Sequence, residues 1–513
     1  MMVSDLNQNA ACYFVDRHAN AIPDKCAFQE ADGAERCLSY GELGTASGKM
    51  AALYERYGLG QEDRAAMLVL DQIEFPIIFW GSMKAGIVPI AINTLLPTET
   101  YRTILNDSRA RVLFVSKALY ATVEPLLADN PYLKAVFVIG EDTPKGCHDF
   151  NAELEKGDTR PTIEVSGDEC AFWLYSSGST GQPKGVQHVH SALQATVDTY
   201  SNNILKMRED DVVYSAAKLF FAYGLGNGMT FPMSVGATTW LLAQRPTPDS
   251  VFATIAKAKP TLYCGVPTLY AALVAQMGDK TDGLENLRCA ISAGEALPAE
   301  IGKKWHQLTG VDILDGVGST EMLHIFLSNG PDDVVYGTSG IAVPGYQLRL
   351  VNEHGDEVAN GEVGELLVNG ASAADGYWNQ REKSRATFEG NWTRTGDKYE
   401  RRDDGRYVYC GRTDDMFKVS GIWVSPFEVE QAISAHASVL EAAVVAAQDS
   451  DGLEKPKAFV VLQESANGDG LAEELKEHVK QAIGKWKYPR WVEIVPDLPK
   501  TATGKIQRFK LRG

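Results

Sequence analysis

The sequence predicts an α/β protein with a large N-terminal domain of layered α/β subdomains and a small α+β C-terminal domain. Short apolar runs alternate with helical patterns through the first part of the chain, residues 337–400 are β-rich, and a new strand and helix pattern follows them. Alternation of strands and helices is typical of layers around mainly parallel sheets. Because a chain of 513 residues exceeds one hydrophobic core, we divide it into domains 1–413 and 414–513.

Buried strands and one helix support the parallel part of this prediction. The apolar runs 66–70, 112–115 and 135–139 are typical of buried strands, and residues 99–108 have helical periodicity. The stretch 75–92 is nearly apolar but contains a lysine, two prolines and two glycines. It therefore predicts a buried helix that runs into a strand and not a membrane span.

The rest of the chain has two further patterns. Residues 347–351 and 364–368 are short alternating runs separated by turn residues, which indicates an antiparallel β subdomain within 337–400. A polar, turn-rich stretch at 401–415 precedes the C-terminal domain. In that domain the pattern predicts helices at 425–436 and 472–483 and strands at 442–446 and 458–462.

The composition excludes several classes of protein. With 44% apolar and 23% charged residues the chain has the composition of an ordinary globular protein. The net charge of -18 argues against binding to a nucleic-acid backbone. No two of the eight cysteines have the short spacing of a zinc or redox site, so we expect mostly reduced thiols in a cytoplasmic protein with no membrane partner.

A loop of small and hydroxylated residues follows the apolar run 171–174. Residues 175–185 contain three serines, a threonine and three glycines, so backbone N–H groups and hydroxyls can point into the loop. Such a loop suits phosphate oxygens, although its spacing is not the Walker pattern. Taken alone, the pattern is equally compatible with a flexible surface turn.

Further motifs follow the loop along the chain. They lie at residues 292–298, 315–321, 392–397, 411–415 and 499–506. In this order and at these separations the motifs resemble the adenylate-forming enzymes, which comprise acyl-CoA synthetases, peptide-synthetase adenylation domains and luciferases. The resemblance extends over nearly the whole chain from about residue 30 onward. It implies ATP, Mg²⁺ and a carboxylic acid as ligands.

The resemblance also implies roles for individual residues. Thr320 would donate to the α-phosphate, and Glu321 would help to hold Mg²⁺, a hard cation that prefers oxygen. Asp397 would accept hydrogen bonds from the ribose hydroxyls, and Arg412 would bind nearby. The remaining nucleotide-binding residues fall into three groups. The loop around the β- and γ-phosphates would contribute Ser176, Ser177, Gly178, Ser179, Thr180, Gly181 and Lys184. Gly294, Glu295 and Ala296 would lie at the adenine and ribose, and Asp315 and Gly316 belong to the next motif.

Three C-terminal residues would serve the two half-reactions. A lysine such as Lys505, near a chain end, usually just faces solvent, but the resemblance makes it the adenylation lysine. Its ammonium would screen the repulsion between the attacking carboxylate and the α-phosphate. In the family the small domain is mobile, and Asp414 matches its hinge. Gly421 matches a residue beside the channel for the pantetheine of coenzyme A.

Three longer segments resemble one branch of the superfamily, the benzoate–CoA and 4-hydroxybenzoate–CoA ligases. These segments are residues 215–227, 318–326 and 418–426. The resemblance implies an acid pocket lined by Ala222, Tyr223, Gly224, Gly318, His324 and Ile325. A flat pocket with an aromatic wall suits a benzene ring. The expected reaction joins benzoate or a hydroxybenzoate to CoA through an aroyl-adenylate.

The ring substituent and the acyl acceptor stay open. Residues 409–425 and 474–491 look more like the hydroxybenzoate enzymes, whereas 323–325 look more like the benzoate enzymes. An apolar pocket rejects an added hydroxyl only weakly. The alternatives are a 4-hydroxybenzoate-specific ligase, transfer of the acyl group to a carrier protein, and a non-enzymatic nucleotide sensor. A homodimer is compatible with each of them. Candidates for binding the phosphates of CoA are Lys485, Lys487 and Arg490.

Overall fold

The protein folds into two compact units. The first comprises Met1–Gln347 and Asn369–Thr393, and the second comprises Leu348–Val368 and Arg394–Gly513. The computed structural model describes residues 8–177, 182–278, 280–413, 415–419, 422–450, 453–463, 466–468, 470–485, 487–500 and 506–512. Asp414 lies outside the described residues, and the domain boundary beside it stays a prediction.

Strands and helices alternate along most of the chain. The strands are β1 Cys26–Glu30, β2 Cys37–Ser39, β3 Arg64–Leu68, β4 Val88–Ala91, β5 Val112–Ser116, β6 Ala135–Ile139, β7 His148–Asp149, β8 Cys170–Ser177, β9 Pro183–Val189, β10 Val212–Ser215, β11 Thr238–Leu241, β12 Leu262–Gly265, β13 Cys289–Ser292, β14 Ile313–Gly318, β15 Ile325–Ser328, β16 Ile341–Ala342, β17 Gln347–Val351, β18 Val363–Asn369, β19 Gly376–Tyr377, β20 Phe388–Glu389, β21 Trp392–Arg401, β22 Tyr407–Arg412, β23 Phe417–Val419, β24 Ile422–Val424, β25 Val439–Gln448, β26 Glu454–Leu462 and β27 Trp491–Ile494.

The α-helices are mostly short. They are α1 Arg17–Ala21, α2 Tyr40–Arg56, α3 Glu74–Lys84, α4 Thr98–Ser108, α5 Lys117–Leu127, α6 Phe150–Leu154, α7 His190–Thr196, α8 Ala222–Leu225, α9 Phe231–Val235, α10 Pro248–Ala258, α11 Pro267–Gln276, α12 Ala299–Thr309, α13 Arg381–Thr387, α14 Pro426–Ser434 and α15 Leu471–Ile483. Three π-helical segments, Cys12–Asp16, Val197–Leu205 and Gly226–Thr230, and one 3₁₀ helix, Arg508–Lys510, complete the set within the described residues.

Two large mixed sheets organise the first unit. One has the strand order β16-β15-β14-β13-β12-β10-β11-β1-β2, and its strands from β14 to β1 are parallel. The other has the order β19-β9-β8-β4-β3-β5-β6-β7, parallel from β8 to β7. In the described part of these two sheets, antiparallel strands lie only at the sheet edges. The parallel strands of each sheet therefore have their carboxyl ends on the same side of the sheet, which is where ligands of α/β proteins commonly bind.

Aromatic side chains fill the space between helices and the nine-stranded sheet. Trp305 of α12 lies 4.9 Å from Tyr270 of α11 and 6.0 Å from Tyr263 of β12, measured between ring centroids. All three rings are fully buried. Large rings bury much apolar area at few positions, so this cluster fixes α11 and α12 against the strands that carry the candidate site.

The second unit contains a small antiparallel hairpin of β23 and β24 and two larger sheets. Strands β17, β18, β21 and β22 are neighbours in one of them, and β21 pairs antiparallel with β22. Strands β25, β26 and β27 form the other, which is antiparallel between β25 and β26 and parallel between β26 and β27. Apolar residues of α14 and α15 pack with this second sheet in one core.

The predicted α/β class is confirmed, and most predicted elements coincide with observed ones. Strands 112–115 and 135–139 are β5 and β6, and helix 99–108 is α4. The stretch 75–92 forms α3 and β4, and every residue of those two elements is buried. Among the described residues, no helix is both long and apolar enough to cross a bilayer.

The cysteines differ in one respect from the expectation. Cys26 and Cys37, on the paired strands β1 and β2, are joined by a disulfide. The other six cysteines are free, as expected. The spacing of the two bonded residues gave no signal, because their approach depends on strand pairing.

Arg36 neutralises two buried carboxylates where β1 ends and α3 begins. Its Nη2 lies 2.6 Å from Glu30 Oε1 and its Nη1 lies 2.6 Å from Glu74 Oε1. Burial alone would lower the pKa of Arg36, but the two carboxylates raise it above its ordinary value. Glu30 and Glu74 therefore depend on this one guanidinium, because a buried charge without a partner is costly.

We predict that Arg36→Met lowers the free energy of unfolding by about 3 kcal/mol, because both carboxylates lose their cation. Arg102→Met removes an exposed ion pair with Glu99 and serves as the control. It should cost less than about 0.5 kcal/mol. Urea denaturation followed by tryptophan fluorescence compares the two variants, and equal losses would contradict the prediction.

Candidate active site

Two motif segments lie at the carboxyl ends of neighbouring parallel strands. Gly294, Glu295 and Ala296 directly follow β13, and Asp315 and Gly316 belong to β14, which pairs parallel with β13. Ligands of α/β proteins commonly bind at this edge of the sheet. The structure therefore brings together the two segments that the sequence predicted to bind the nucleotide.

Asp315 is a buried carboxyl group at this edge. One of its oxygens accepts a hydrogen bond from the backbone N–H of Leu297 at 3.4 Å, and Oδ1 has no partner among the described residues. Burial raises the pKa of Asp315 well above its ordinary value, against a smaller opposing effect of that N–H. The unpartnered oxygen is a ready contact for a polar ligand atom.

The loop after β14 carries Thr320 and Glu321, and three hydrogen bonds hold its backbone. His188 Nε2 lies 2.9 Å from the Thr320 carbonyl, the Ala374 N–H donates to the Glu321 carbonyl at 2.8 Å, and Ser372 Oγ donates to the next carbonyl at 2.8 Å. Burial lowers the pKa of His188 to about 4. The imidazole is therefore neutral near pH 7, and because a carbonyl only accepts, Nε2 carries the proton.

Glu321 forms a three-membered polar cluster with Lys184 and Tyr377. Its Oε1 lies 3.1 Å from Lys184 Nζ and 2.8 Å from the Tyr377 hydroxyl. The ammonium also lies 4.4 Å from the centroid of the Tyr377 ring. Burial alone would raise the pKa of Glu321, but Lys184 and the Tyr377 hydroxyl lower it below its ordinary value. Glu321 is therefore ionised at neutral pH.

An ionised Glu321 fits the Mg²⁺ implied by the sequence. Mg²⁺ in nucleotide sites is usually held by one or two carboxylates together with substrate phosphates. Within the described residues no group of three or more His, Cys, Asp or Glu side chains could hold a metal by itself. A single ionised carboxylate beside Lys184, the last residue of the predicted phosphate loop, fits that arrangement.

The predicted phosphate loop connects two paired strands. Ser176 and Ser177 end β8, and Lys184 lies on β9 directly opposite Ser176 in the antiparallel register. The Ser176 hydroxyl is buried and has no hydrogen-bond partner within the described part of the chain. Four predicted loop residues lie outside that part, as does the Ser177 side chain: Gly178, Ser179, Thr180 and Gly181.

A narrow cleft beside His324 has about 160 Å³ of unfilled space, part of it open to solvent, and is too tight in this structure to hold a water molecule. It is lined by Leu193, Thr196, Ala222, Leu225, Gly226, Thr230, Leu323 and His324. Two of the predicted acid-pocket residues, Ala222 and His324, thus line the same space. Leu193 and Thr196 of helix α7 also line this space. The sequence analysis missed them because their pattern along the helix is the same as that of core residues and gives no sign of a ligand.

His324 is neutral and surrounded by rings. Its ring centroid lies 4.5 Å from that of Phe231, 5.1 Å from Tyr200 and 5.9 Å from Tyr223. Burial lowers the pKa of His324 to about 3, while the Tyr223 carbonyl opposes this slightly. Neither ring nitrogen makes a hydrogen bond of normal geometry to a described residue. The imidazole can therefore both donate to and accept from a ligand.

Most of the remaining predicted pocket residues contact backbone atoms of neighbouring segments. The Tyr223 hydroxyl donates to backbone carbonyls at 3.0 and 3.1 Å, so its ring, not its hydroxyl, faces the neighbouring His324. A Cβ atom on Gly318 would lie 2.5 Å from the His324 carbonyl, and one on Gly224 would lie 2.0 Å from the Lys218 carbonyl. Only glycine fits at these two positions. Ile325 is a buried residue of β15.

In the second unit the predicted ribose-binding residues form a pair. Asp397 on β21 faces Arg412 on β22, and Oδ1 of Asp397 lies 2.9 Å from Nη1 of Arg412. Gly396 has a left-handed φ of 70°, and its carbonyl accepts from the Thr413 N–H. Lys505, Asp414 and Gly421 lie outside the described residues.

Residues on both sides of Lys505 are anchored in the second unit. Lys500 pairs with Glu441 of β25 at 2.6 Å. Arg508 pairs with Glu430 of α14 at 2.6 Å and with Asp415 at 3.6 Å. Burial would lower the pKa of Arg508, but these carboxylates raise it above its ordinary value.

Comparison with known families decides the class. The pattern described as AMP-binding enzyme matches residues 15–378, and the AMP-binding enzyme C-terminal domain matches residues 428–505. The chain belongs to the AMP-binding enzyme family. Both matches lie on segments that carry the motifs, so the predicted superfamily is confirmed.

Individual members of the AMP-binding family are similar over nearly the full chain. A 4-hydroxybenzoate–CoA/benzoate–CoA ligase of Rhodopseudomonas palustris is 53% identical over 508 residues, which cover 98% of this chain and 94% of that protein. A benzoate CoA ligase structure from Burkholderia xenovorans LB400 is 46% identical with a TM-score of 0.90, covering 98% of this chain and 100% of the other. An anthranilate CoA ligase in complex with anthranoyl-AMP is 39% identical with a TM-score of 0.93, covering 100% and 98%.

Tyr377 and His188 support residues of the candidate site, and sequence reasoning missed both of them. Each supports a motif residue from a distant position, 56 residues from Glu321 and 132 residues from Thr320. A tyrosine after a glycine and a histidine within a strand carry no local signal of such a role. Only the pairing of β9 with β8 and β19 makes both contacts available.

We predict that Tyr377→Phe weakens the response of ATP binding to Mg²⁺. The variant loses one hydrogen bond to an ionised carboxylate, worth about 1 kcal/mol, so half-saturation should need about five-fold more Mg²⁺. Calorimetric titration of ATP at several Mg²⁺ concentrations measures this. Tyr336→Phe is the control, since its hydroxyl binds Asp312 in the same unit. An unchanged Mg²⁺ requirement in Tyr377→Phe would refute the role.

Proposed function

We propose that this chain is an ATP-dependent ligase that joins an aromatic carboxylic acid to coenzyme A. In the first half-reaction the carboxylate attacks the α-phosphorus of ATP, forming an aroyl-adenylate and releasing diphosphate. In the second, the thiol of CoA attacks the acyl carbon, forming aroyl-CoA and releasing AMP. The observation that carries the proposal is the Lys184–Glu321–Tyr377 cluster, whose Glu321 lies three residues along the chain from His324, a lining residue of the predicted acid pocket that packs among aromatic rings.

Each part of the first unit supplies one element of this chemistry. Ser176 and Lys184 bind the outer phosphates, since hydroxyl and ammonium donors suit phosphate oxygens. Thr320, whose backbone His188 holds, donates to the α-phosphate. Glu321 would hold Mg²⁺, which would supply positive charge to neutralise the phosphates. The neutral pocket keeps water from the ring, which strengthens the polar contacts at the reacting carboxylate.

The second unit supplies the ribose contacts and the adenylation lysine. Asp397 accepts from the ribose hydroxyls and is oriented by Arg412. Lys505 brings a cation to the attacking carboxylate and the α-phosphate, where charge builds in the transition state. Residues 414–513 rotate about Asp414 between the half-reactions, and Gly421 then borders the pantetheine channel. A cytoplasmic location is part of this proposal, and a homodimer is compatible with it.

The pocket favours benzoate or a monohydroxybenzoate as the acid. Apolar residues, two threonines and His324 line it, and the His324 imidazole, whose nitrogens have no hydrogen-bond partner among the described residues, could bind a hydroxyl. The name of the relative from Rhodopseudomonas palustris includes both benzoate and 4-hydroxybenzoate, which supports this class. A ligase specific for 4-hydroxybenzoate, and transfer to a carrier protein, are the competing possibilities.

We predict that a substrate panel places benzoate and the monohydroxybenzoates first when ranked by kcat/KM. The panel contains benzoate, its 2-, 3- and 4-hydroxy and amino forms, cinnamate and acetate, with thioester formation on free CoA as the measurement. Acetate should be at least about a hundred-fold worse, because it fills none of the ring pocket. Strict preference for 4-hydroxybenzoate would favour the first alternative, and adenylate formation without thioester would favour the second.

Lys505→Ala should separate the half-reactions. We predict that it slows adenylate formation by at least about a hundred-fold, because the transition state loses its cation. It should spare thioester formation from supplied aroyl-adenylate, which needs no attack on phosphorus. Lys476→Ala, which removes an exposed pair with Glu473, is the control. Single-turnover rates measure both steps, and equal loss of both would contradict the division of labour.

A further inference from the structure

Lys218 directly precedes residues 219–225, which we call the acid-pocket segment. The Lys218 carbonyl accepts the Phe221 N–H at 3.0 Å and lies so close to Gly224 that no Cβ fits there. Helix α8, which carries Ala222 and Tyr223, is therefore packed directly on the backbone of Lys218. A displacement of Lys218 would displace the wall of the pocket.

The Lys218 ammonium is fixed by backbone carbonyls of another segment. It donates to the carbonyls of Leu242 and Gln244, the latter at 2.8 Å, in the chain directly after β11. The N–H groups of Ala243 and Gln244 donate to the two oxygens of Asp32, each at 3.0 Å. The Lys218 ammonium thus binds backbone carbonyls of residues 242–244, and the Asp32 carboxylate binds backbone N–H groups of the same residues.

Asp71 holds the pocket segment from the other sheet. It lies between β3 and α3, and its two oxygens accept the Leu219 N–H at 3.2 and 3.4 Å. Its Oδ2 lies 4.0 Å from Lys218 Nζ. The Asp71 side chain is 5% exposed, and that of Lys218 is 13% exposed. This pair joins the segments that follow β3 and β10, which are strands of the two large sheets of the first unit.

The surroundings of Asp71 bring the pKa of its carboxyl group close to neutral pH. Burial raises the pKa of Asp71 to about 6, although Lys218 and the Leu219 N–H oppose the rise and Asp32 adds to it. Burial lowers the pKa of Lys218, and Asp71 and Asp32 oppose that change. Two other buried carboxylates of the first unit, Glu30 and Glu74, are already paired with Arg36. The Tyr214 phenol is also near, and burial raises its pKa above the ordinary value.

We propose that Lys218 and Asp71 are positioning residues for the acid pocket, and that loss of either charge weakens binding of the aromatic acid but not of ATP. The inference rests on the proposed function. Neither residue lines the pocket; each acts through the backbone at residues 218–219. Among the described residues, the Asp315 carboxyl group on β14 has only the Leu297 N–H as a hydrogen-bond partner and is not linked to this pair, so the two KM values separate positioning from general damage.

Lys218→Met and Asp71→Asn test the proposal through a split between KM values. Each should raise the KM for benzoate about ten-fold, because a small displacement of a binding wall is costly, and change the KM for ATP less than about two-fold. The double variant should raise it by less than the product of the single effects, because the two charges form one unit. Lys303→Met, which removes an exposed pair with Glu300, is the control.

The pH profile is an independent readout that a merely structural role would not produce. Protonation removes the charge of Asp71, so in the wild type the KM for benzoate should rise as the pH falls through about 6. Benzoate itself stays ionised there, since carboxylic acids titrate near pH 4. Asp71→Asn should keep the high value at every pH, equal to the low-pH limit of the wild type.

Several outcomes would overturn the inference. Equal increases in the KM values for benzoate and ATP would assign the pair a structural role only. A pH dependence that persists in Asp71→Asn would assign the titration elsewhere. If the variants do not fold, a wild-type KM for benzoate that is flat between about pH 5.5 and about pH 8 overturns it alone. Absence of diphosphate release with every aromatic acid would instead defeat the proposed function.

Discussion

The candidate site depends on keeping Glu321 ionised although it is largely removed from water. A buried carboxyl group normally takes up a proton, because its charged form loses solvation. Lys184 and the Tyr377 hydroxyl reverse that tendency, at 3.1 and 2.8 Å from the same oxygen. The cluster thereby joins three chain segments: strand β9, the loop after β14 and strand β19. Binding of Mg²⁺ and phosphates would have to take over the contacts that Lys184 now makes with Glu321.

Three carboxyl groups of the first unit illustrate how environment sets protonation. Glu321 has two donors and a pKa below the ordinary value, whereas Asp315 has one weak donor and a pKa far above it. Asp71 lies between them, because its cation is 4.0 Å away and a second carboxylate is near. All three lie at or just beyond the carboxyl ends of parallel strands. That edge provides few backbone donors for a side chain, so the nearest cation decides the charge of each group.

Sequence patterns predicted elements well where burial is local. Residues 135–139 are an unbroken apolar run and form β6, and residues 99–108 alternate with helical period and form α4. The motif residues Glu321 and Lys184, to which the family resemblance gave roles at Mg²⁺ and at the phosphates, lie 3.1 Å apart, and those roles stay predictions. Tyr377 and His188 were missed because their partners are 56 and 132 residues away, and no local period encodes such contacts. The walls from α7 were missed for a related reason, since an apolar helix face looks the same against a core and against a ligand.

The anchors beside Lys505 bear on the proposed rotation. Lys500 is tied to β25 through Glu441, and Arg508 is tied to α14 through Glu430, whose Oε1 also accepts the Val444 N–H at 2.7 Å. Arg508 and Arg512 both pair with Asp415, the residue after the proposed hinge. A cation that must reach phosphorus in one step and leave in the next can be moved by a flexible segment or by a rigid body. These ion pairs favour the rigid body, because a rotation about residue 414 moves all the anchors together and breaks none of them.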